Sequence, residues 1–109
     1  GVIGAAMDCY DTALRYSKER VQFGKPIGGF QLQQKKLAEM ITEITKAQLL
    51  NWRLGVLMNE GRATPQQVSM AKRNSCEIAT NICRDARQML GGMGITGEYP
   101  IMRHMMNLE

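Results

Sequence analysis

An all-α fold, an up-and-down helical bundle whose last helix is truncated, is what this sequence predicts, on three observations. Apolar residues recur at intervals of three and four over long stretches. No stretch of five or more residues alternates with a period of two, so no strands are expected. Gly and Pro punctuation cuts the chain into three long segments and a short one. Composition agrees: the 109 residues are 44% apolar and 22% charged, ordinary for a single folded domain spanning 1–109. Nine Met against 6% aromatics predict an aliphatic core filled with Met.

The first helix is predicted over 2–22. Val2, Ile3, Ala6, Met7, Tyr10, Ala13, Leu14 and Val21 form its apolar stripe, and Asp8, Asp11, Arg15, Lys18 and Glu19 take the other face. Phe23-Gly24-Lys25-Pro26 stops it, and Gly28-Gly29 extend the turn. A second helix, about 30 to 60, carries Leu37, Met40, Ile41, Ile44, Ala47, Leu54, Leu57 and Met58 inward. At 1.5 Å per residue it is roughly 45 Å long, a length that survives by packing along equally long neighbours. Gly61 ends it. Thr64-Pro65-Gln66-Gln67 opens the third helix with an N-cap Thr, Pro at the first helical position and Gln67 placed for a capping box. Its inward stripe is Val68, Ala71, Ser75, Ile78, Ile82 and Met89, and Gly91 stops it. Pro100 begins the short fourth segment, Ile101–Met106, whose Met105-Met106 pair is expected to face an open groove covered by self-association.

Several function classes are excluded on the same residues. The net charge of +4 is dispersed, with Lys35-Lys36 and Lys72-Arg73 the only tight pairs, so no nucleic-acid partner is expected. No apolar run is long enough to cross a bilayer, and no membrane partner is expected. Cys9, Cys76 and Cys83 form no ligand cluster, and with His104 the only His no metal site is expected. Cys76 and Cys83, seven apart, share a helix face and suit packing in a reduced, intracellular compartment.

Two stretches offer chemistry. In Arg20-Val21-Gln22-Phe23-Gly24-Lys25-Pro26-Ile27, Arg20 near a helix end can fork onto a phosphate, and Phe23 offers a face on which adenine stacks. Gln22, and Gln31 eleven residues after Arg20, can bond a ribose or base edge. In Gln88-Met89-Leu90-Gly91-Gly92-Met93-Gly94, the missing Cβ atoms let a ligand approach bare backbone beside the Gln88 amide. The plain alternatives are an ordinary surface Arg with a core Phe, and a helix stop with a tight turn.

Together the two stretches resemble the paired FAD-binding motifs of the acyl-CoA dehydrogenase C-terminal domain. These are the Arg-x-Gln-Phe-Gly turn with its following Gln, and Gln-x-x-Gly-Gly-x-Gly followed by Glu98-Tyr99-Pro100. Within the family, Ala38–Thr45 and Arg103–Glu109 look most like glutaryl-CoA dehydrogenases. The resemblance implies a helical domain at the core of a homotetramer. It also implies FAD contacts from Arg20, Gln22, Phe23, Gln31, Gln88, Met89, Leu90, Gly91 and Gly92, the first motif reaching the FAD of a neighbouring subunit. The family oxidises an acyl-CoA with a Glu base and flavin, and passes electrons to an electron-transfer flavoprotein; glutaryl-type members also decarboxylate.

The family's catalytic Glu follows in a Tyr-Glu-Gly-Thr motif beyond Glu109, or in a minority precedes Gly1, so no catalytic residue is expected here. Glu98 and Glu109 match neither position. The chain is therefore expected to be a fragment of a larger flavoenzyme, inactive and weak in FAD binding by itself. Its compartment would be bacterial cytoplasm, or mitochondrial matrix in a eukaryote. The competing expectation is a stand-alone helical protein-interaction module with no cofactor.

Overall fold

The computed structural model describes all 109 residues, and helices dominate it. They are α1 (Val2–Glu19), α2 (Gln31–Asn59), α3 (Pro65–Leu90) and α4 (Ile101–Leu108). Cross-helix pairs fix the directions. Met7 meets Gln48, and Lys36 and Asn51 of α2 meet Asp85 and Ser75 of α3, so α2 runs against both neighbours. Cys9 meets Cys83 while Tyr16 lies beside Gln88, so α1 and α3 run parallel. The result is up-down-up, a slab of 56 × 25 × 16 Å in which α3 packs against each of the other helices.

The start of α3 follows from local chemistry. Thr64 Oγ1 accepts from the Gln67 N–H at 3.3 Å, and Gln67 Oε1 accepts from the Thr64 N–H at 2.9 Å. That reciprocal box, with Pro65 first in the helix, satisfies donors that would otherwise be orphaned. At the other end Gly91 adopts φ +58 and ψ −131, a conformation closed to residues with a Cβ.

The first turn differs from the reading of the sequence. α1 stops at Glu19, and Arg20 swings to extended backbone. Val21–Gln22 (β1) then pairs antiparallel with Lys25–Pro26 (β2), so a short hairpin stands where no strand was expected. Two-residue strands are too short to show alternation. Both central turn residues, Phe23 at φ +54 and Gly24 at φ +79, are left-handed, the geometry that suits strand twist. Phe at the first of them hid the hairpin, because such turns normally carry Asn, Asp or Gly there.

The core centres on a close seam between α1 and α3, where Ala6, Cys9 and Ala13 meet Ala79, Cys83 and Ala86. Small side chains bring these helices together, so bulk comes instead from Met40 and Ile44 of α2, Ile82, Met89 and Leu90 of α3, and Ile101. The Met-filled core was thus overdrawn. Met40 and Met89 alone are buried, whereas Met7, Met58, Met70 and Met106 lie out on the surface. Ile41, Met58 and Val68, read as inward, are exposed as well, because a thin slab covers only one side of each helix.

Cys83 meets Cys9 across the α1–α3 seam, at 3.3 Å between sulfurs, and all three thiols are free. The Cys9 S–H donates to Cys83, and this bond, reinforced by burial, pushes the Cys9 thiol well above its ordinary range. α4 is tied down by His104 Nε2 at 2.7 Å from Asp8 and by Arg84 Nε donating to Glu109 at 2.8 Å. Met105 packs against the core, while Met106 lines an open groove with Ile95 and Met102. No helix is long and apolar enough to cross a membrane.

Candidate functional site

At one end of the slab the C-terminus of α1, the hairpin, the first turn of α2 and the C-terminus of α3 enclose a groove of about 410 Å³. Arg20 and Gln22 supply one wall, and Gln88, Met89, Leu90, Gly91 and Gly92 the other. Seven of the nine residues singled out from the sequence therefore share one cavity, although 66 positions separate Gln22 from Gln88. Phe23 and Gln31 lie outside it. Tyr16, Ile27, Gln33 and Met93 complete the lining.

Backbone bonds set the position of Arg20. Its N–H donates to Tyr16 O at 2.8 Å and its carbonyl accepts from Ile27 N at 2.8 Å, pinning the base of the hairpin to α1. The guanidinium forms none of the chain's ion pairs. An unpaired cation at the mouth of a cavity is suited to an anion. Phe23, at the tip, is 92% exposed and held only by an edge-on contact to Phe30, ring centroids 6.2 Å apart. Lys25 Nζ sits 4.3 Å over that Phe30 ring and braces the turn from below.

The opposite wall is built by the end of α3. Lys36, one of the tight basic pair noted in the sequence, reaches from α2 to donate to Gln88 Oε1 and to pair with Asp85 at 3.2 Å. Its side chain is only 20% exposed, and it fixes the Gln88 amide beside the groove. The three glycines then divide. A Cβ on Gly91 or Gly92 meets no protein atom within 4 Å, so both leave open space along the groove. A Cβ on Gly94 would stand 2.4 Å from Arg87 O, so Gly94 serves helix–loop packing. Tyr99, after this loop, packs edge-on against Tyr16 at 5.5 Å.

The lining fits a dinucleotide bearing a pyrophosphate. It offers an unpaired cation, bare backbone at Gly91 and Gly92, and one polar atom that lacks a partner, the buried Gln33 Oε1. A second groove, between α2 and α3, is lined by Glu39, Glu43, Glu77 and Asp85 and would repel such an anion. Sequence reading missed Gln33 because its face depends on where α2 begins. Two positions from Gln31 is about 200° around a helix, so the two glutamines point apart.

The family model described as the acyl-CoA dehydrogenase C-terminal domain matches residues 1–109. The chain is 39% identical over 104 residues to a glutaryl-CoA dehydrogenase of Desulfococcus multivorans, covering 94% of this chain and 27% of that protein. It is 38% identical over 102 residues to the short-chain specific mitochondrial acyl-CoA dehydrogenase of Homo sapiens, covering 94% of this chain and 25% of that one. Among solved structures, a Mycobacterium smegmatis glutaryl-CoA dehydrogenase superposes with TM-score 0.97 at 53% identity, over 99% of this chain and 28% of that one. Another glutaryl-CoA dehydrogenase from that organism, in complex with FADH2, gives 0.96 at 42%, with the same coverage. The chain thus spans about a quarter of the length of the proteins it matches.

Proposed function

Because this chain belongs to the acyl-CoA dehydrogenase family, as its C-terminal domain, we propose that it supplies the adenosine and pyrophosphate contacts for FAD in a larger acyl-CoA-oxidising flavoenzyme. The observation that carries this is the groove uniting Arg20 and Gln22 with Gln88–Gly92. Arg20 holds the pyrophosphate, Gln22 and Gln88 hydrogen-bond the adenosine, and Gly91 and Gly92 let it lie against backbone. Phe23 points away from its own chain's groove, and an aromatic 92% exposed on a left-handed backbone suits contact with a dinucleotide carried mainly by a neighbouring subunit. Gln31, exposed at the start of α2, reaches the same dinucleotide from outside the groove.

FAD, when bound, accepts the hydride of acyl-CoA oxidation; this chain's residues position its far end and take no part in proton abstraction. Glu109 is engaged by Arg84 and Glu98 lines no part of the groove, so neither is placed as a base. The catalytic Glu belongs to a segment outside these residues. The substrate is an acyl-CoA of the glutaryl or short-chain class, as in the named relatives, with electrons passing to an electron-transfer flavoprotein.

The domain also contributes to the core of a homotetramer. Leu49, Trp52 and Met58 on α2 and Met70 on α3 are all more than half exposed, an apolar surface that a monomer leaves wet. The compartment is cytoplasmic, or matrix if eukaryotic. The test is flavin retention by the complete enzyme carrying Arg20→Ala or Gln88→Ala. Loss of one charge-assisted bond at Arg20 costs about 1.5–3 kcal/mol, so affinity falls roughly 10- to 100-fold. Unchanged flavin content in both variants refutes the reading.

A further inference from the structure

We infer that Gln33 is a specificity-determining residue of this groove, its amide oxygen accepting a hydrogen bond from the adenosine moiety of the bound dinucleotide. The inference rests on the FAD reading above. Among the buried side-chain polar atoms of the chain, Gln33 Oε1 stands alone without a partner. Two polar neighbours on α2 are engaged: Gln34 Nε2 donates to Gly28 O at 3.0 Å, and Lys36 holds Gln88 and Asp85. Gln33 lines the groove between the Arg20 wall and the Gln88 wall, half-buried in the first turn of α2.

A buried acceptor left unpaired destabilises the fold, and exchanging the amide's oxygen and nitrogen only orphans a donor instead. The protein offers Gln33 Oε1 no partner where it is buried, and a turn of the side chain, which lines the groove, brings that oxygen to the cavity's occupant. Adenosine carries two kinds of donor, the exocyclic amine of the base and the ribose hydroxyls. Arg20 is already committed to the phosphates, and Gln88 is anchored by Lys36 with its oxygen occupied. Gln33 then joins Gln22 as a free amide acceptor lining the groove, and turning its amide toward the ligand relieves the orphaned atom as the complex forms.

The test compares wild type, Gln33→Leu and Arg20→Ala in the complete enzyme, each stripped of flavin. Thermal unfolding of the apoprotein is followed, and then titration with FAD, flavin hypoxanthine dinucleotide and 2′-deoxyadenosine FAD. Leu removes the unsatisfied atom at similar volume, so apoprotein stability holds or rises. Affinity for FAD falls about five- to tenfold, the loss of one neutral hydrogen bond. Wild type binds one analogue more weakly than FAD, and Gln33→Leu levels that difference. The hypoxanthine analogue as the weaker one assigns the base amine, the deoxy analogue the ribose hydroxyl. Equal FAD affinity in wild type and Gln33→Leu, alongside weakened binding by Arg20→Ala, overturns the Gln33 assignment alone. FAD binding unaffected by Arg20→Ala overturns the reading of the groove as well.

Discussion

Replacing Gly94 by Ala separates what the glycine loop does for the fold from what it does for a ligand. The new Cβ would sit 2.4 Å from Arg87 O and 3.1 Å from Arg87 C and Cα, where ordinary contact begins near 3.4 Å. About 1 Å must be found, and both sides are backbone, so no rotamer change can supply it. Overpacking of this kind costs about 1–3 kcal/mol. For a domain of this size that is a fall in Tm of roughly 5–15 °C. Gly92→Ala is the control: its methyl meets no protein atom within 4 Å and its φ is not left-handed, so stability stays within about 0.5 kcal/mol. Its methyl instead enters space the ligand needs. Thermal unfolding by circular dichroism, paired with flavin content, reads both effects. A Gly94→Ala protein as stable as wild type, or a Gly92→Ala protein that melts as early, refutes the division of roles.

The remaining predictions follow from single contacts. Phe23→Gly leaves unfolding in urea within about 0.5–1 kcal/mol of wild type, since relief of the left-handed backbone offsets the glycine's entropy, yet lowers flavin retention. Thr64→Ala removes one half of the capping box and costs about 1 kcal/mol in the urea midpoint, with Ser restoring most of it. In native protein Ellman's reagent labels at most Cys76 quickly, because Cys9 and Cys83 are buried; all three react after unfolding. The raised Cys9 pKa keeps its full stabilisation below the ordinary thiol value of 9.0, and that stabilisation declines as pH rises above it. Cys9→Ala should flatten that alkaline decline in denaturant titrations at graded pH.

Periodicity and punctuation carried most of the architecture. The Thr64 box fixes the start of α3 to the residue, and α2, uncapped at Phe30 and followed by the left-handed Gly61, falls within a residue of its expected ends. The hairpin escaped notice since its pairing depends on a Phe in a conformation that side chains rarely accept. The seam of Ala and Cys residues could not be foreseen from stripes, which mark a face but not how near the neighbouring helix comes. Glycine spacing likewise marked the loop without saying that Gly94 serves packing while Gly91 and Gly92 border open space. Gln33 and Lys36 join the site through the register between α2 and α3, which is a tertiary fact.

The most direct measurement is a structure of the complete enzyme with FAD bound. The pyrophosphate should lie within hydrogen-bond distance of the Arg20 guanidinium, the adenosine along Gly91-Gly92, and Phe23 against a dinucleotide held by another subunit. FAD bound elsewhere, with the Arg20–Gln88 groove filled by solvent or by protein side chains, would contradict that placement.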